Sequence, residues 1–258
     1  MKTLYKLPSG KLGPFNEINL ETVMNVSHFD TLALLSDDDA ERGVLAVLKD
    51  LMEEDPFKLS MRDLYYVFLL VKVSSFGPEI PVSVTCRNFI KDPETNARSV
   101  CNHINQTTFS LADADIEYAP SDMEIPSVIL HGKSFLIKPP SMADELDLIA
   151  YYQEKGISRQ QLANVIDNKD QVIEYARHRM FLYLRDFDTG EAVYSDRDRR
   201  EKALAEFKSL PITVYKDITS GIDKVDKFGV KSQTHQVVCK GCNNTVTFRT
   251  GLLAGLTL

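Results

Sequence analysis

From residue 37 onward, Ala40, Val44, Leu45, Val47, Leu48, Leu51 and Met52 recur every three to four positions. They follow the acids Asp37, Asp38 and Asp39, which suit the positive end of a helix dipole. This spacing predicts an amphipathic helix facing a core, preceded by a short apolar stretch over 30–35. Pro56 ends the pattern. A second helix is predicted from Ser60, with Ser60 as N-cap, Asp63 three residues on, and Leu59 placed to staple against Leu64. Residues 64–71 are apolar on every face, so this helix must be buried by its own domain or by a partner.

Other segments have a different rhythm. Leu4 to Leu7 and Phe15 to Ile18 read as two strands around the turn Pro8-Ser9-Gly10. Beyond Phe76-Gly77-Pro78 the period becomes two: Ile80, Val82 and Val84 alternate toward Cys86. A loop containing Asp92-Pro93 and Asn96 follows, and Cys101 opens a second extended stretch through Ile104, Thr108 and Leu111. A β-hairpin is expected, with Cys86 and Cys101 at its facing ends. Strands over 128–130 and 135–137 flank a turn at His131-Gly132-Lys133-Ser134, so the middle of the chain is expected to form a small sheet.

From Ser141 the pattern is helical again. Ser141 with Asp144, and Ser158 with Gln161, have capping-box spacing, and Gly156 stands between as a C-cap would. Val172, Ile173, Ala176, Met180, Tyr183, Leu184 and Phe187 form a stripe expected to lie in the core, and a helix over 200–207 ends before Pro211. The last patterned segment, Gln236 to Phe248, is expected to be a metal knuckle between two strands. The fold class is therefore α+β: a small antiparallel sheet with helices and a zinc-ribbon-like four-cysteine site, plus a helical insertion. Three segments are expected: 1–140, a helical region over 141–230, and a C-terminal knuckle with an apolar tail over 231–258 that packs back on the first.

Composition narrows the function. At 258 residues, 43% hydrophobic and 26% charged, the chain is ordinary for a soluble globular protein. No window approaches the roughly 18 apolar residues of a membrane span, and the N-terminus lacks the apolar run of a secretory signal. A reducing cytoplasm is expected, where thiols favour metals over disulfides. The net charge of -7 argues against nucleic acid as the main ligand, because such binding depends on neutralising phosphates. Protein partners are expected instead.

The four cysteines carry the candidate chemistry. Cys239-Lys240-Gly241-Cys242 lets two thiolates point at one place, and Cys86 and Cys101 can supply the other two soft ligands of a tetrahedral zinc. The alternatives are a disulfide, or unrelated buried thiols acting as small hydrophobes. His103 and His235 would each have to displace a cysteine, and His28, His131 and His178 read as surface or core residues. There is no Walker loop, nucleophile elbow, His-Glu-x-x-His or dinucleotide fingerprint. The acids Glu53, Glu54 and Asp55 sit at a helix end, where they read as a solvated or dipole-complementing group. No catalytic residue is assigned, and an enzyme is not expected.

Three stretches also resemble a known family. Tyr5-Lys6-Leu7-Pro8-Ser9-Gly10-Lys11-Leu12, the run from Leu59 to Leu69 leading into Val71-Lys72-Val73-Ser74-Ser75, and the strand reaching Cys86 with Cys101-Asn102-His103 resemble the T-even-type phage baseplate hub proteins. The resemblance covers about the first 140 residues, with a weaker echo in the cysteine-bearing tail. It implies a structural subunit of a contractile-tail hub or tail tip, assembled in the host cytoplasm and located in the virion baseplate. Its partners would be other hub and tail-tip subunits and the tape-measure protein, with the metal as a structural staple. Two other readings stay open: an assembly factor that leaves before the virion matures, and a zinc-ribbon regulatory module. The apolar tail 251–258 is read either as a docking element for a partner subunit or as a segment packing on its own core.

Overall fold

The computed structural model describes residues 2–33, 40–91, 96–110, 114–158, 161–162, 169–194, 196–207, 210–231 and 234–249. The acids at 37–39 and the tail 251–258 lie outside the described residues. The chain opens with an antiparallel pair, β1 (Thr3–Lys6) and β2 (Glu17–Leu20), in which Thr3 faces Leu20 and Lys6 faces Glu17. Helices α1 (Val26–Ala33), α2 (Ala40–Leu51) and α3 (Met61–Phe76) follow. The predicted stripe on α2 is buried: Val44, Leu45, Val47, Leu48, Leu51 and Met52 pack with Ile18, Leu20 and Leu59 in the first core. The acids after α2 take local roles. Glu54 accepts from the Asn19 backbone N–H, and Asp55 caps a short 3-10 turn through Phe57 N.

Helix α3 begins as its sequence indicates. The Ser60 hydroxyl accepts from Asp63 N at 3.2 Å and donates to the Asp63 carboxylate at 2.8 Å. Leu64, Tyr66, Val67, Phe68 and Val71 are buried, so the chain itself covers most of this apolar helix. Tyr66 Oη lies 3.0 Å from Tyr118 Oη, and the two rings meet edge to face.

Among the described residues eleven further strands form small sheets. β3 (Glu79–Thr85) pairs with β6 (Ile104–Ser110), and β4 (Phe89–Lys91) with β5 (Arg98–Val100). β8 (Ser127–Leu130) and β9 (Lys133–Ile137) form a hairpin whose central residues, His131 (φ 49) and Gly132 (φ 77), are both left-handed, as a type I′ turn requires. The middle of the chain is thus divided, with the β3–β6 ladder separate from the β8–β9 sheet. The residual pairs are β7 (Ile116–Glu117) with β11 (Gly229–Val230), and β12 (Thr234–Val238) with β13 (Thr245–Arg249).

The segment after residue 140 supplies α4 (Met142–Glu154), α5 (Lys169–Leu182), α6 (Arg197–Phe207) and α7 (Ile212–Val225). Ser141 and Asp144 form a reciprocal capping box, and Ser158 and Gln161 exchange backbone-to-side-chain bonds of 2.7 and 3.2 Å. Gly156 is left-handed at φ 78. The stripe expected over 172–187 departs from the prediction. The helix stops at Leu182, and 184–186 instead form β10, which extends the β8–β9 sheet by pairing Leu184 with Ile137. Ile173 and Phe187 are exposed, whereas Phe181, Tyr183 and Leu184 are buried against β9 and α7 in a second core. A free sheet edge at β9 outcompetes helical periodicity there, because it pairs backbone groups while burying the same side chains. Polar links also cross residue 140: Arg185 to the Pro139 carbonyl at 3.5 Å, Arg62 to Asp226 at 3.3 Å, and Met142 N to the Leu59 carbonyl at 2.8 Å.

Two outcomes test this packing. Phe68→Ala should lower the free energy of unfolding by about 3–5 kcal/mol in chemical denaturation, the usual cost of emptying a large core site. Asp63 is fully buried, and burial raises its pKa against the opposing hydrogen bonds from Ser9 and Ser60. Its contribution is therefore complete below the unfolded value of 3.8 and is lost as pH rises through the folded one. Asp63→Asn should gain stability relative to the parent as pH rises above 3.8, and a pH-independent difference would contradict this.

Candidate metal centre

The first half of the site is the end of the β3–β6 ladder. Thr85 pairs with Ile104, and immediately beyond them Cys86 N donates to the His103 carbonyl at 2.8 Å. Asn102 then turns left-handed (φ 53), its N–H bonding the Cys86 carbonyl at 3.0 Å, while Cys101 N reaches the Asn88 carbonyl at 2.9 Å. Cys86 and Cys101 therefore sit at the break between the ladder and the short β4–β5 arm, at facing ends of the hairpin as expected.

The second half is the turn between β12 and β13. Cys239 N bonds the Asn244 carbonyl at 2.9 Å, Asn243 N returns to the Cys239 carbonyl at 2.8 Å, and Asn243 is left-handed at φ 58. Gly241 N points at Cys239 Sγ, 3.3 Å away. A backbone N–H aimed at sulfur stabilises the thiolate over the thiol.

The two hairpins bring the four cysteines together. All four Sγ atoms lie within 4.8 Å of one another, and the closest pairs, Cys86 to Cys242 and Cys101 to Cys239, are each 3.7 Å apart. Thiolates about 2.3 Å from a tetrahedral ion would be separated by about 3.8 Å, whereas a disulfide requires about 2.05 Å. The geometry matches the first, and all four thiols are free. Cys86 and Cys239 are fully buried. Burial pushes Cys86 up to about 12. Cys239 is also raised by burial, but the Asn105 side chain and the N–H groups of Gly241 and Cys242 outweigh this and bring it to about 6. The set can hold one soft metal ion with no position left open.

The histidines considered beside the cysteines have other roles. His235 stacks on its cross-strand partner Phe248 with centroids 5.3 Å apart, and His103 packs its Cβ against the knuckle. Two residues missed by the sequence reading hold the hairpins together. Asn105 is 2% exposed; its amide oxygen accepts from Lys240 N at 3.0 Å, and its nitrogen donates to the Val84 and His103 carbonyls at 3.3 and 3.4 Å. The available signal was an asparagine at the inward position between exposed Ile104 and Gln106. Gly241 is needed for close approach, since a Cβ there would lie 2.7 Å from His103 Cβ and 3.1 Å from Cys101 Sγ. Gly241→Ala should therefore lower the melting temperature, and His103→Gly in the same chain should restore part of the loss. Equal effects with and without His103→Gly would show that the collision is not the cause.

No curated protein and no solved structure gives a significant match to this chain. A family model described as "T4 bacteriophage base plate protein" matches residues 1–253. That span takes in the helical segment and the cysteine-bearing hairpin as well as the first 140 residues. The chain belongs to the T4 bacteriophage base plate protein family.

Proposed function

We propose that this chain is a structural subunit of the hub or tail tip of a contractile-tail baseplate, acting through contacts with other baseplate subunits. The family match over residues 1–253 is the observation that carries this reading. It places the chain among phage baseplate proteins, and the hub position is proposed within that family. Among the described residues no helix is long and apolar enough to cross a membrane.

In this reading Cys86, Cys101, Cys239 and Cys242 hold one structural zinc. Thiolates favour zinc among the abundant divalent ions, and a closed four-thiolate shell leaves no site for substrate, consistent with a non-enzymatic role. The first 140 residues and the helical segment 141–230 would form the body, and the segment 231–258 would be tied back to it through the metal. Structural zinc binding is coupled to folding, with apparent free energies of about 10–16 kcal/mol in small zinc domains.

Two measurements test the proposal. Quantitative mass spectrometry of purified particles should find the chain at a fixed ratio to other baseplate proteins; its absence from particles would instead support a departing assembly factor. Cys239→Ser should lose the bound zinc, lower the melting temperature and reduce incorporation into particles. A zinc-free wild-type protein with reactive native thiols would contradict the metal assignment.

A further inference from the structure

The β4–β5 arm continues past the cysteine centre with three residue pairs, and both of its faces are largely open to solvent. A two-stranded pair this short is marginal in water. Its cross-strand contacts therefore matter. Lys91 lies directly opposite Arg98, and Phe89 opposite Val100. Opposed residues, and those two apart along a strand, share a face, so these four side chains lie together on one side of the arm.

That face works against the free chain. Like charges directly opposite each other destabilise an antiparallel pair, and Lys91 and Arg98 are both exposed. Among the described residues neither meets an acid. Asp92 and Glu94, between the strands in sequence, lie outside the described residues. Phe89 is 72% exposed beside the two cations. Arg87, just before β4, is also exposed, and its guanidinium donates to Asn102 Oδ1 at 3.0 Å rather than to a carboxylate. The arm thus carries three cations and an uncovered ring in a chain whose net charge is -7.

An acidic ligand resolves both features. A carboxylate set between Lys91 and Arg98 would accept from both and cancel their repulsion, and an apolar neighbour of that carboxylate would cover the Phe89 ring. A long polyanion fits less well. Three cations neutralise about three phosphates, and the net negative charge of the chain repels the remainder.

We propose that the β4–β5 arm binds an acidic, partly apolar segment of a partner protein, with a carboxylate bridging Lys91 and Arg98 and an apolar side chain on Phe89. This gives one partner surface of the baseplate reading its chemistry, and it rests on that reading only for the partner being a protein. Its test uses the isolated full chain, so it succeeds or fails independently of the particle analysis. The probe is the capped peptide Ac-Leu-Glu-Leu-Glu-Leu-amide, titrated into ¹⁵N-labelled protein at low salt. The amides of Phe89, Lys91, Arg98 and Val100 should shift saturably. The matching peptide with glutamine for glutamate should bind about tenfold more weakly or not at all, as loss of charged acceptors implies. Arg98→Glu should abolish the shifts yet raise the melting temperature of the free chain, because Lys91 then faces an acid. A lowered melting temperature would mean that the two cations serve the arm's own structure, and would overturn the proposal. Equal shifts with both peptides would overturn the anionic ligand, and tighter binding of oligouridylate or of phosphatidylglycerol vesicles than of the acidic peptide would overturn the protein partner. No shift with the acidic peptide would overturn the site itself, an outcome read on the wild-type protein even if the variant fails to fold.

Discussion

The convergence of four sulfurs from two distant hairpins is the contact on which the cysteine-bearing end of the molecule depends. Cys86 and Cys242 are separated by 156 residues, and Cys101 and Cys239 by 138. Closing a loop of that length costs conformational entropy, and each hairpin has only two strands, an arrangement that is marginal alone. Val84, Val237 and Val246 give the joint only a small apolar core. Four thiols this close must also manage their charge, since a thiolate beside other thiolates is costly without a cation between them. Asn105, the N–H groups of the knuckle and the proposed ion all act on that one problem.

The rest of the chain is held differently. Three apolar cores, around α2 and α3, around β8–β9 with α7, and between α4 and α5, carry the body of the fold. Strands β10 and β11 cross from the helical segment to pair with β9 and β7, and ion pairs such as Arg62 with Asp226 cover the joint. The β3–β6 ladder, by contrast, is largely exposed and ends in the cysteine centre. In the proposed reading, a ribbon tied by a metal to a conventionally packed body would suit a subunit of a particle that must survive outside a cell.

Much of this was legible because it is local. The Ser60 and Ser141 caps, the α2 stripe, the left-handed turn at His131-Gly132 and the knuckle at 239–242 each depend on residues a few positions apart, and spacing reports them directly. The cysteine set was also readable, from number and hairpin placement rather than proximity in sequence. What was not readable is set by distant neighbours. Residues 184–186 leave the helical pattern only because β9 offers an edge, and Gly241 matters only because His103 approaches it. Asn105 serves Lys240, 135 residues away, and no local rhythm marks that. His178, read as a surface or core residue, is indeed buried, but its Tyr152 partner lies on another helix and left no local mark.

The central claim is that these four cysteines form one closed tetrahedral thiolate site. Zinc K-edge X-ray absorption on the purified full chain tests it most directly. The account predicts one zinc per chain with four sulfur neighbours at about 2.3 Å and no nitrogen or oxygen in the shell. A mixed shell containing histidine or water, or protein purified under reducing conditions without zinc, would contradict it.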